Sequence, residues 1–226
     1  MHPPEDTLLA LASGEADLPL RVTLEGHLST CPACRATVGE LAAAGGAMLR
    51  ELADEPLPQR VWESLAARVA PMAPDATAVR APRRAPGAAD PLAALPLPSG
   101  ARRELRLALA GRPDREREVA WRTAWAPGAR YAVLWSASSL LVVGHLPAGR
   151  YFPRHVHPGR EDVLVLAGGY DDHLGSYTAG EYAVYDAGSD HRPTTSPDEE
   201  CWILSRLEAP ARFLGWRGWL QALGER

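Results

Sequence analysis

The apolar positions along the chain fall into two regimes. Over roughly the first 70 residues they recur every three or four positions, as on amphipathic helices. Beyond Val119 they come in short runs separated by Gly and Pro. In the first regime Pro3-Pro4-Glu5-Asp6 opens a helix, with proline in the first turn and acids at the positive helix end. Leu8, Leu9, Leu11 and Ala12 form its apolar side, and Gly14 is a stop signal. Pro19 starts a second helix, on which Leu20, Leu24, His27 and Leu28 make one stripe. A third runs from Pro32 through Val38, Leu41, Leu49 and Leu52, weakened in the middle by Gly45-Gly46. A fourth, over 58–69, places Val61, Trp62, Leu65 and Val69 on one side. Four short helices bury little apolar surface, and cores of that size often need a metal staple.

Residues 71–98 are Ala-, Pro- and Arg-rich with little periodicity, which reads as an extended, semi-stiff linker. A short helix is expected at 101–110. In the second regime the segments 132–135, 140–145, 162–166, 182–185 and 202–205 are rich in Val, Leu, Tyr and Trp. Short strands at regular spacing with turn signals between them indicate an all-β sandwich or barrel. Trp216, Trp219, Leu220 and Leu223 return to helical spacing and predict a helix packed on that barrel. The expected organisation is a helical domain over 1–70, a linker over 71–98 and a β domain over 99–226.

Composition adds several exclusions. A chain of 226 residues, 46% hydrophobic and 23% charged, is an ordinary soluble protein long enough for two small domains. No basic n-region or apolar core opens the chain, so no signal peptide is expected. The longest apolar run, 131–146, is too short and too rich in Ser to span a bilayer. Only Cys31, Cys34 and Cys201 occur, which fits a reducing cytoplasm better than a disulfide scaffold. The net charge of −4 argues against a DNA-binding surface over the whole chain. Up to Ala70 there are ten acidic and five basic residues, an acidic face that suits a basic protein partner or is simply solvated.

Candidate chemistry is concentrated in two places. The first is His27-Leu-Ser-Thr-Cys31-Pro-Ala-Cys34, an H-x3-C-x2-C array of zinc-ligand types. Zinc wants a tetrahedron of thiolates and imidazoles, and on a helical path these three side chains share one side. Pro32 suits the first position of a new helix, so Cys31 becomes its cap, where the helix end favours the thiolate. The plainer alternative is a buried reduced cysteine pair beside a chance histidine. His2 is the candidate fourth ligand if the first two helices pack antiparallel; spacing alone balances this against a frayed end.

The second place is His155-Val-His157-Pro-Gly-Arg-Glu161, with His191 further along. On a strand His155 and His157 point the same way, and Glu161 follows a Pro158-Gly159 turn. Three imidazoles and a carboxylate inside a barrel suit zinc, iron, manganese, nickel or copper. The alternative is separate surface histidines. His145 is expected to pack or cap, His173 to lie in a polar turn, and Cys201 to be a buried strand residue with a redox role left open.

The flanking glycines carry a family resemblance. Gly149-x5-His155-x-His157-x3-Glu161-x6-Gly168 matches the first cupin motif at every position. Gly180-x5-Asp186-x-Gly188-x2-His191 resembles the second, with Asp186 where proline is usual. The resemblance implies a double-stranded β-helix of jelly-roll type, with a divalent metal (Zn, Fe, Mn or Ni) on His155, His157, Glu161 and His191. The combination of an H-x3-C-x2-C helical domain, a Pro-rich linker and one cupin resembles the ChrR family of zinc-dependent anti-sigma factors. That resemblance implies zinc on His2, His27, Cys31 and Cys34. It also implies a cytoplasmic regulator whose partner is an extracytoplasmic-function sigma factor, with no direct nucleic-acid or membrane contact. The cupin is then a sensor of a small-molecule or oxidant signal in oxidative or singlet-oxygen stress, and not an enzyme. The competing reading is a metal-dependent, dioxygenase-like cupin enzyme with an accessory zinc domain. The N-terminal cluster separates the two, because a cupin enzyme has no need of it.

Overall fold

Proline and glycine set the helix boundaries as the sequence predicts. α1 (Glu5–Ser13) follows Pro4, carries Glu5 and Asp6 in its first turn, and ends at Gly14 with φ 82°. α2 (Leu18–Leu28) is capped by the Asp17 carboxylate, which accepts from the Leu20 N–H at 2.9 Å. α3 (Pro32–Arg50) opens at Pro32, and α4 (Gln59–Val69) follows Pro58. α5 (Ser99–Leu109) leads into the β domain. The computed structural model describes residues 1–53, 56, 58–72, 90, 92–110, 119–124 and 126–214. The tail helix expected from Trp216, Trp219, Leu220 and Leu223 and most of the 71–98 linker fall outside them.

Eleven strands follow among the described residues: β1 (Arg122–Thr123), β2 (Arg130–Ser136), β3 (Leu140–Leu146), β4 (His155–Val156), β5 (Glu161–Ala167), β6 (Gly169–Asp172), β7 (Gly175–Thr178), β8 (Tyr182–Tyr185), β9 (Asp190–His191), β10 (Cys201–Leu207) and β11 (Arg212–Phe213). They make a six-stranded sheet in the order β1-β2-β3-β10-β5-β8, a three-stranded sheet β11-β4-β9, and the hairpin β6-β7. The paired strands are antiparallel, and the crossovers between distant strands are those of a jelly-roll barrel. The four motif glycines, 149, 168, 180 and 188, take φ between 64° and 88°, the left-handed turns a side chain resists.

β5 is buried along its first five residues because both of its faces are covered. Leu164 points into one core with Val22, Leu24 and Leu28 of α2 and Leu105 of α5. Val163 and Val165 point into a second, with Tyr170, Tyr177 and Tyr185. The linker therefore does not hold the first helices apart from the barrel. Residues 1–43 and 90–226 form one compact unit, and 44–89 another. Asp17 accepts from Ser139 Oγ at 2.6 Å, and Thr7 Oγ1 from the Arg160 guanidinium at 2.6 Å. Gly100 allows α5 to touch α2: a Cβ there would lie 2.2 Å from the Glu25 carbonyl oxygen. Leu92, Leu95 and Leu97, read from sequence as linker, are buried. Arg102 fixes them by donating to all three of their carbonyls.

The 44–89 unit differs. α4 buries none of its residues, and Val61, Trp62, Leu65 and Val69 are 43–56% exposed. Met48, Leu49 and Leu52 nearby are 67–70% exposed.

Candidate metal centres

The end of α2, the start of α3 and the N-terminus meet at one point. His2, His27, Cys31 and Cys34 bring one ligand atom each to within 4.8 Å of all the others. His2 Nδ1 lies 3.4 Å from Cys31 Sγ and 3.3 Å from Cys34 Sγ. Tetrahedral zinc, with bonds of about 2.3 Å to sulfur and 2.0–2.1 Å to nitrogen, requires S···N edges of about 3.5 Å. His27 donates from Nδ1 to the Gly180 carbonyl at 2.9 Å, which leaves Nε2 buried and without a partner among the described residues. An orphaned imidazole nitrogen beside two thiols is a costly arrangement unless something else takes its lone pair. Burial, followed by the charge of His2, holds the His27 pKa below its ordinary value, and the Gly180 hydrogen bond opposes this only in part. The ring is a neutral donor.

The two thiols divide their roles. Burial alone pushes Cys31 up, but hydrogen bonds from Cys34 and Ala33 and the charge of Arg35 outweigh it and bring the net pKa down. Burial and the neighbouring Cys31 push Cys34 up to about 11. A cation between them would favour both thiolates. The donor set and spacing fit zinc.

In the barrel, β4 carries His155, β5 opens with Glu161, and β9 ends with His191, paired across the sheet with His155. His157 follows β4, anchored by exchange of backbone hydrogen bonds with the 188–189 turn. The Nε2 atom of His191 is 2.9 Å from that of His155 and 3.1 Å from that of His157. Glu161 Oε2 is 3.2 Å from His157 Nε2 and 3.9 Å from His191 Nε2. All four residues are buried. Burial, with the neighbouring imidazoles, lowers His155 to about 3 and His157 to about 4, and burial raises Glu161 to about 7. Four donor atoms converging this closely suit a cation, and this donor set fits a divalent transition metal.

The orientation of the rings is set one layer further out. His155 Nδ1 donates to the Pro153 carbonyl and His191 Nδ1 to Asp172 Oδ2, both at 2.8 Å. Asp172 also accepts from Tyr185 Oη at 2.8 Å, and Tyr185 is bonded to Tyr170 Oη at 2.7 Å. Burial works to raise the Asp172 pKa, but these hydrogen bonds win and lower it, so the group is a carboxylate. Nothing in the sequence singles out Asp172, the neighbour of His173; it closes β6 and gains the contact because the β6-β7 hairpin lies beside His191. Removing such an outer carboxylate typically costs about 10–100-fold in metal affinity. Asp172→Asn should therefore weaken barrel-metal binding by that factor in a chelator competition, with all four candidate ligands still present. Unchanged affinity would show that His191 does not need the carboxylate.

A cavity of about 460 Å³ reaches this cluster, walled by Val142, Leu146, Phe152, Ile203 and Phe213, with Arg130 among its lining. Cys201 also lines it, but burial followed by Glu199 pushes its thiol up to about 12, away from reactivity. His145 packs against Trp202 and bonds Glu200 at 2.8 Å, outside both clusters.

A family profile described as ChrR Cupin-like domain matches residues 115–210. The anti-sigma-E factor ChrR of Cereibacter sphaeroides is 31% identical over 214 residues, 94% of this chain and 91% of that protein. The chain belongs to the ChrR family. It also aligns with the crystal structure of Rhodobacter sphaeroides SigE in complex with the anti-sigma ChrR, at TM-score 0.66 and 26% identity. That match covers 91% of this chain and 97% of the other. An acetylacetone dioxygenase from Acinetobacter johnsonii aligns over 43% of this chain and 75% of its own, at TM-score 0.37 and 24% identity. Among the described residues no helix is long and apolar enough to cross a membrane.

Proposed function

We propose that this ChrR-family protein is a cytoplasmic anti-sigma factor. Residues 1–70 hold an extracytoplasmic-function sigma factor, organised by zinc on His2, His27, Cys31 and Cys34. The cupin part, within 99–226, binds a second divalent ion, zinc or another transition metal, on His155, His157, Glu161 and His191. It is the sensor half, needed for release of the sigma factor under singlet-oxygen or organic-hydroperoxide stress.

The observation that carries the partner-binding role is the bare face of α4. Val61, Trp62, Leu65 and Val69 fall on one side of the helix, and each is at least 43% exposed. Soluble chains rarely leave an apolar stripe uncovered unless a partner covers it. A basic or amphipathic sigma-factor surface also suits the acidic charge of this half. Trp62→Asp with Leu65→Asp should weaken binding of the cognate sigma factor at least about a hundredfold, since buried aromatic anchors dominate interfaces. Isothermal titration on the zinc-loaded full chain measures it. Wild-type affinity in a folded double variant would place the contact elsewhere.

The cavity favours a second reading, a cupin enzyme, because a small molecule could reach the barrel cluster through it. Sustained turnover of a small substrate by the metal-loaded protein would decide for that reading.

A further inference from the structure

The candidate clusters lie on different parts of the fold, yet one short segment touches both. It runs from the turn residue Gly180 through β8 to Tyr185. At its first end the Gly180 carbonyl takes the Nδ1 proton of His27 at 2.9 Å. That bond fixes the tautomer and leaves Nε2 facing the cysteines. The Tyr182 ring meets the His27 ring edge-on at 5.9 Å. The Tyr182 backbone N–H donates to the Met1 carbonyl at 3.1 Å, next to His2. At its other end Tyr185 lies with its ring 4.0 Å from that of His191 and stacks 5.8 Å from that of His157. Its hydroxyl holds Asp172, which holds His191. In the ladder Tyr185 pairs with Glu161.

Between these ends there is no slack. Tyr182, Ala183 and Tyr185 are at most 3% exposed. Gly180 and Glu181 exchange backbone hydrogen bonds with Val165, on the same strand that opens with Glu161. A buried strand in a packed core shifts as a unit, because a local adjustment would open voids. The four candidate ligand atoms converge at 2.9–3.9 Å, and a bound cation would set their spacing. That spacing bears on Tyr185, which packs on two of the rings, and on Glu161, and both share the β5-β8 ladder with the Gly180 turn.

We propose that the 180–185 segment is a shared support for the two centres, with Gly180 a positioning residue for the N-terminal zinc. Filling the barrel site then tightens zinc binding at the N-terminal one. The inference rests on the metal reading of both clusters given above. Linkage is reciprocal, so each site changes the affinity of the other by the same factor. Loss of an outer-layer partner of a metal-bound histidine sets the expected size, about tenfold.

The test uses the full chain with cobalt(II) as probe, because thiolate-to-cobalt absorption reports the cysteine site alone. In His155→Ala/His157→Ala, cobalt affinity at the cysteine site should fall about tenfold. In Cys31→Ser/Cys34→Ser, barrel-site affinity, read by competition with a coloured chelator, should fall as well. Asp172→Asn keeps every candidate ligand and should give the same loss at cobalt levels that leave the barrel site empty. It serves if the double variant fails to fold. Affinity within twofold of wild type in a folded variant overturns the proposal. Wild-type protein with no thiolate-to-cobalt band overturns the underlying zinc reading instead.

Discussion

Cys31→Ser with Cys34→Ser should remove about one zinc per chain and abolish sigma-factor binding. α3 is 19 residues long, yet Cys34 is its one buried residue among those described. Val38 and Leu41 add only partial burial against the core. Apart from the Arg35 guanidinium, which donates to the Leu28 carbonyl, little among the described residues but a metal would fix the start of α3, and α4 follows it in the chain. Structural zinc sites contribute about 10–16 kcal/mol of apparent binding energy in small domains, far more than such a helix gains from packing. α1 and α2 should be less affected, since Leu8, Val22 and Leu24 are buried in the core shared with the barrel. The double variant should thus keep its barrel melting transition and lose its partner. Metal analysis and co-elution with the sigma factor read both parts. A full zinc complement in the variant would refute the N-terminal site.

The second large effect is expected from His155→Ala with His157→Ala, read with a sigma-dependent reporter in cells. Two of four candidate ligands go, and Glu161 and His191 alone hold metal poorly. Basal repression should persist. A tenfold weakening at the N-terminal site is about 1.4 kcal/mol, a small part of what a structural zinc site supplies. The response to singlet oxygen or organic hydroperoxide should be lost, so the reporter stays silent with and without stress. Normal induction in that strain would remove the sensor role and favour a structural or catalytic cupin.

Helix boundaries were the most legible part of the fold, because Pro32, Pro58 and Gly14 act locally through φ and missing or freed N–H groups. Five of the strands, β2, β3, β5, β8 and β10, were legible because β-branched and aromatic runs alternate with turns whose glycines take positive φ; two-residue strands such as β1 and β11 carry no such run. The candidate ligands were visible as spacing. Their outer partners were not: Asp172 and the Gly180 carbonyl reach His191 and His27 across 19 and 153 residues, and no local pattern encodes that distance. Nor did the stripe on α2 reveal what it packs against. Leu24 and Leu28 would look the same facing helices alone or, as they do, sharing a core with Leu105 of α5 and Leu164 of β5.

That packing of early helices on late strands sets an order of assembly on the ribosome. Asp17 pairs with Arg206 of β10, 189 residues further along. At translation rates of about 5–20 residues per second, α2 waits on the order of ten to forty seconds for the strands that cover Val22 and Leu24. Throughout that interval a nascent chain presents the first helices without their barrel support. The packing of α2 is therefore complete only once β10 has emerged, and a chain halted before β10 carries the cysteines with the apolar side of α2 uncovered.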